Sequence, residues 1–77
     1  MAQLSGIDIF VQAAEARSFS VAGRLLGVTP SAVGKSISRL EERLGVRLFH
    51  RSTRSVTLTA EGGLFLERCR RSEERRV

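Results

Sequence analysis

The 77-residue chain is short of the residues that most catalytic and metal chemistry requires. It has one His, His50, and one Cys, Cys69, so one chain cannot assemble a metal cluster from these two types, and no cofactor is expected. One Cys also excludes a disulfide-stapled scaffold, and one Pro with seven Gly excludes collagen-like or low-complexity sequence. Trp and Tyr are missing, and the four aromatics are Phe10, Phe19, Phe49 and Phe65. No apolar run approaches the ~20 residues of a membrane span, so no membrane partner is expected. Met1-Ala2-Gln3-Leu4-Ser5 lacks the basic start and apolar stretch of a signal peptide. The expectation is a soluble cytoplasmic protein.

What is present is charge of one sign. Thirteen basic residues against eight acidic ones give +5, with a pI near 11.3. Lys35 is the single Lys; the other twelve are Arg, whose planar, always charged fork suits phosphate oxygens and guanine edges. Residues 1–46 carry only +1. Residues 47–77, with eight Arg against Glu61, Glu67, Glu73 and Glu74, carry +4. Clustered Arg in so basic a domain points to a polyanion, above all nucleic acid.

A chain this short is one small domain. Leu4, Ile7, Phe10, Val11 and Ala14 fall on one helical stripe, predicting a first helix that ends near Arg17-Ser18. Ser20 reads as the N-cap of a two-turn helix that stops at Gly27. Thr29-Pro30 is a strong start signal for a third helix reaching about Leu44. Its core stripe is Val33, Ile37, Leu40 and Leu44; at ~100° per residue Ser31, Gly34, Lys35, Ser38 and Glu42 face the other way. After Gly45 the period becomes two: Val46, Leu48 and His50 alternate with Arg47, Phe49 and Arg51. A polar turn and Ser55-Val56-Thr57-Leu58 complete a hairpin. Thr59 caps a fourth helix through Leu64, Phe65, Leu66 and Cys69.

A short helix, a Gly turn and a helix with a polar outer face form the helix-turn-helix layout. Ala22 and Gly23 let the two helices approach closely, and Val28, Val33 and Ile37 pack between them. Ser31, Ala32 and Gly34 keep the leading end of the third helix slim enough for a major groove, and its positive N-terminus can receive phosphate. Arg47, His50, Arg51 and Arg54, with no acid among them, make the hairpin a basic wing. The expected fold is mainly α, a winged helix-turn-helix with a three-helix core, a β-hairpin wing and a C-terminal linker helix. Its DNA-binding domain spans 1–59, with the helix-turn-helix about 19–38, the wing about 46–58, and the start of a linker or dimerisation helix at 60–77. The four Phe belong to the core, Cys69 is a packed residue and His50 a wing residue near phosphate. Without an acid to orient it or an oxyanion site, His50 forms no Ser/His catalytic pair; Gly62-Gly63 is not a phosphate loop, and no enzyme is expected.

Ser18-Phe19-Ser20, Ala22, Leu26-Gly27-Val28-Thr29, Ser31-Ala32-Val33, Ile37-Ser38-Arg39-Leu40-Glu41 and Leu44-Gly45-Val46-Arg47-Leu48-Phe49 also carry a resemblance. Completed by Arg51, Arg54, Leu58-Thr59 and Gly62, the pattern resembles the DNA-binding domain of LysR-type transcriptional regulators over roughly residues 2–66. The resemblance implies a bacterial, nucleoid-associated regulator that binds double-stranded DNA at an interrupted inverted repeat, as a dimer or tetramer paired through the fourth helix. It implies a base-reading surface of Pro30, Ser31, Val33, Gly34 and Lys35. Backbone contacts fall on Ser20, Thr29, Ser38 and Arg39, and on Arg51, Thr53 and Arg54 of the wing. The family usually has Gln at Pro30 and often Ser at Gly34. Pro cannot make the bidentate adenine contact of Gln, which shifts specificity toward Lys35, thymine methyls and DNA shape. A dimerising stripe would continue at 72, 73 and 76, where Ser72, Glu73 and Arg76 stand. With no effector-binding domain in these 77 residues, the expectation is a fragment or shortened frame with no small-molecule effector site and weak homo- or heterodimerisation. The rival expectation is a truncated interaction fragment that pairs with a full-length regulator and interferes with its assembly.

Overall fold

A computed structural model describes residues 5–51 and 56–74, without the side chains of Arg51 and residues 72–74. The element order is α1 (Gly6–Ala16), α2 (Phe19–Leu26), α3 (Pro30–Leu44), β1 (Phe49–Arg51), β2 (Val56–Leu58) and α4 (Ala60–Glu74). The mainly helical, winged architecture is the one read from the sequence.

Local chemistry sets the helix ends. Ser5 and Asp8 form a reciprocal capping box on α1, with the Asp8 N–H donating to Ser5 Oγ at 3.1 Å. Thr29 Oγ1 accepts the Ala32 N–H at 3.1 Å, with Pro30 in the first turn of α3. Gly27 and Gly45 close α2 and α3 at φ 75° and 72°, where a Cβ would be strained. Arg17 takes the same left-handed role after α1 at φ 55°.

The start of α2 differs from expectation. Its N-cap is Ser18, whose Oγ accepts the Val21 N–H at 3.1 Å, so Ser20 lies exposed within the first turn. Both serines can cap. Phe19 decides between them, because starting the helix there packs its ring edge-on against Phe49, with centroids 5.7 Å apart.

Phe10, Val33, Ile37, Leu48 and Phe49 are the largest fully buried side chains. Phe10 meets Phe49 and Phe65 at centroid distances of 5.4 and 5.2 Å, so a run of rings joins α4, α1, β1 and α2. The four Phe thus belong to the core, Phe19 and Phe65 partly buried at its edge. Two stripe assignments fail: Ile7 is 45% exposed while Ala13 is buried, and Leu44 is 42% exposed while Glu41 takes a buried place on the α3 stripe; Leu4 lies outside the described residues. Small residues shape the turn as anticipated but by another contact. A Cβ on Gly23 would lie 2.6 Å from the Val28 carbonyl oxygen, so Gly23 lets the turn itself fold back onto α2.

The hairpin is antiparallel, with Phe49 opposite Leu58, His50 opposite Thr57 and Arg51 opposite Val56. Strict alternation does not hold at its entry, since consecutive Leu48 and Phe49 are both buried. Leu48 precedes the strand and turns inward because its backbone is bound on two sides. Its carbonyl accepts the Thr59 N–H at 3.0 Å and sits against Gly62, where a Cβ would overlap that oxygen and lie 2.9 Å from its carbon. Gly63 has open space at the same distance. Gly62→Ala should therefore destabilise the chain by about 2 kcal/mol or more through backbone overlap. Gly63→Ala should stabilise it by up to ~1 kcal/mol through helix propensity; urea unfolding of the two variants checks the contrast.

Candidate nucleic-acid interface

The buried stripe of α3 is Val33, Ile37, Leu40 and Glu41. On the outer side Ser31, Gly34, Lys35, Ser38, Arg39 and Glu42 line one shallow, open hollow. Ser31, Lys35 and Arg39 are exposed there, and Gly34 and Ser38 are half-buried. Thr29 and Pro30 are exposed at the leading end, and Ser20 is exposed on α2. Four exposed polar side chains of α3, Ser31, Lys35, Arg39 and Glu42, thus share one surface.

One expected contact residue does not belong to this surface. Val33 has no solvent exposure and packs in the core, so it cannot touch a base while the domain is folded. Position 33 shares its side of the helix with 37 and 40, which the spacing alone implies. Arg51 lies on β1 with its side chain not described, and Thr53 and Arg54 lie outside the described residues. His50 and Thr57 are exposed on the outer side of the hairpin. Cys69 is half-buried on α4.

The tip of α3 is less open to anions than a generic helix N-terminus. Pro30 has no N–H, Thr29 Oγ1 holds that of Ala32, and the Thr29 carbonyl accepts that of Val33 at 3.1 Å. Positive charge on this side of the domain also comes from cationic side chains. Not all are equally available. On α4, Arg70 pairs with Glu15 of α1 at 3.3 Å and Arg71 with Glu67 at 2.8 Å. Both pairs are exposed and contribute little to stability; Glu67 is already counted in the +4 of residues 47–77, and Glu15 of the first half offsets one further Arg. Glu42 places one negative charge at the edge of the hollow.

The residue that sequence reasoning missed is Glu41. It is 9% exposed, and its Oε2 accepts the backbone N–H groups of Leu48 at 2.8 Å and Phe49 at 3.3 Å. A carboxylate near the end of α3 thereby fixes the strand that begins the wing. Thr59 holds the same segment from the other side, its hydroxyl donating to the Arg47 carbonyl at 2.5 Å while accepting the Gly62 N–H at 2.9 Å. The available signal was an acid beside Leu40 and four residues after Ile37, inside the apolar stripe.

A polar-faced α3 packed across α2, followed at once by a hairpin held to its C-terminal end, defines a winged helix-turn-helix protein. The model of the bacterial regulatory helix-turn-helix protein, LysR family, matches residues 4–63, and the chain belongs to that family, one of transcription regulators and not of enzymes. The HTH-type transcriptional regulator CrgA of Neisseria meningitidis is 45% identical over 65 residues, covering 84% of this chain and 22% of CrgA. The HTH-type transcriptional activator AaeR of Escherichia coli is 38% identical over 71 residues, covering 92% of this chain and 23% of AaeR. The chain therefore spans about a fifth of the length of the curated relatives it matches. Among solved structures, the CbnR DBD–DNA complex superposes with a TM-score of 0.83 at 38% identity, over 90% of this chain and 79% of that one. The BenM DBD/catB site 1 DNA complex gives 0.84 at 30% identity, over 91% and 78%. Among the described residues no helix is long and apolar enough to cross a membrane.

Glu41→Ala should cost about 2 kcal/mol or more, because two buried N–H groups lose a charged acceptor. Glu41→Gln, which keeps an acceptor oxygen, should cost less. Urea unfolding measures the loss, and faster amide exchange at Leu48 and Phe49 locates it at the wing entry.

Proposed function

We propose that this chain binds duplex DNA with α3 in the major groove and the wing along the adjacent backbone, and that it regulates transcription by occupying an operator. The observation that carries this reading is the two-sidedness of α3. Val33, Ile37 and Leu40 are buried on one side, while Ser31, Lys35 and Arg39 stand exposed around one hollow on the other. The likeness to the CbnR and BenM domains bound to DNA supports it. In this reading Pro30, Ser31, Gly34 and Lys35 face base edges. Ser20, Thr29, Ser38, Arg39, Arg51, Thr53 and Arg54 contact the sugar-phosphate backbone. Affinity comes mainly from Arg–phosphate contacts and therefore falls with salt.

A single module reaches one half-site, so tight specific binding calls for pairing of two copies. Leu64 on α4 is 64% exposed, an apolar side chain available to such a pair. The same observation favours a second reading, in which α4 pairs with a full-length relative and interferes with its assembly. The two readings part on whether the chain binds DNA by itself.

Selection from a random duplex pool at two salt concentrations is the deciding experiment. Enrichment of a half-site or inverted repeat is the expected result; no binding at either salt would favour the pairing reading. Lys35→Ala should relax the sequence preference, while Arg51→Ala should weaken all duplexes alike and lower the salt slope by about 1. Sedimentation at low micromolar concentration should find mostly monomer, and a tight dimer would contradict that expectation.

A further inference from the structure

Gly34 lies in the interior of α3, where glycine is the poorest helix former after proline. Nothing in the packing demands it. A Cβ at Gly23 or Gly62 would collide with backbone; one at Gly34 would meet only Cδ2 and Cε2 of Phe19, both at 3.8 Å, an ordinary van der Waals contact. The missing carbon therefore lowers the surface between α3 and the N-terminus of α2 into a notch one carbon deep, where an approaching group can reach van der Waals contact with the Gly34 backbone beside the Phe19 ring. Its floor is the Gly34 backbone and its wall the edge of the Phe19 ring. Both residues are half-buried and so still reach the surface. The wall is held in place, since Phe19 packs edge-on against the buried Phe49 at an interplanar angle of 86°. Exposed Ser31 and Lys35 flank the notch with polar groups.

An apolar recess of one-carbon size, set among hydrogen-bonding side chains on a groove-facing helix, matches one chemical group of B-form DNA. The thymine C5-methyl is the apolar group that the base pairs present in the major groove. We infer that Gly34 and Phe19 form a thymine-methyl site, so that a missing side chain determines specificity at one base position. This rests on the DNA-binding reading above and deepens it by naming one base group that the helix would read. Polar Ser31 and Lys35 would read neighbouring positions, and filling the notch would erase the preference for the methyl without touching a phosphate contact.

The test uses the 77-residue chain, its Gly34→Ala variant, and duplexes recovered from the random pool with the wild-type chain. Each thymine is replaced in turn by deoxyuridine, which removes only the methyl. The wild-type chain should lose about fourfold in affinity at one thymine, the worth of burying one methyl group. Gly34→Ala should bind the thymine and uracil forms of that position within about twofold of each other. Its melting temperature should hold or rise, since alanine favours helix and fits beside Phe19. A wild-type chain indifferent to every methyl, or a Gly34→Ala variant that keeps the same penalty, overturns the methyl site and leaves DNA binding standing. Binding with no enriched sequence overturns the methyl site alone, and no binding at either salt overturns both.

Discussion

The segment Arg47–Phe49 joins α3 to the wing, and its backbone is bound from both sides. Glu41 of α3 accepts two of its N–H groups, while Thr59 and the bare backbone of Gly62 enclose its carbonyls. Leu48 and Phe49 are driven into the core because their polar groups are already satisfied there. Phe49 then supplies the surface on which Phe10 and Phe19 pack. The orientation of α1, α2 and α3 around that ring follows from this attachment, and so does the position of the wing beside α3. A carboxylate in a small core is tolerable because backbone donors solvate it in place of water.

That arrangement separates two tasks. The core side of α3 is occupied by Val33, Ile37, Leu40 and Glu41, which build and join, leaving the outer side available to another molecule. Short residues, Ser31 and Gly34, stand at the leading end of that side and leave it slim. The tip of α3 is capped from within, since Pro30 has no N–H and Thr29 Oγ1 holds that of Ala32. Ion pairing of Arg70 and Arg71 with Glu15 and Glu67 leaves α4 a weaker electrostatic surface than its Arg count suggests.

Much of the fold was legible in the residues. Thr29-Pro30 and Gly45 delimit α3 as expected, because caps are local chemistry that acts within a few residues. The burial of Phe10 and the outer side of α3 followed from helical period, whereas strand alternation set Phe49 opposite Leu48 and both are buried. The errors arose where two local choices were equally good, or where a partner lay far off in sequence. Ser18 and Ser20 both cap well, and only the fit of Phe19 against Phe49 selects the first. Ile7 continued a stripe that the core does not reach. Val33 was assigned to both sides of one helix, although its spacing from Ile37 and Leu40 already fixed it inside.

The sequence by itself determined the limits of α3, its polar outer side, the basic balance and the family, since these depend on nearest neighbours, periodicity and ordered motifs. Tertiary structure alone decided that Glu41 is a buried tie to the wing, that Gly62 must lack a side chain and Gly34 need not. Those distinctions turn on the direction in which each Cα–Cβ bond points and on what stands within a few ångströms of it. Glu41 meets Leu48, Gly62 meets Leu48 and Gly34 meets Phe19 across intervals with no fixed period. Only packing brings those atoms together.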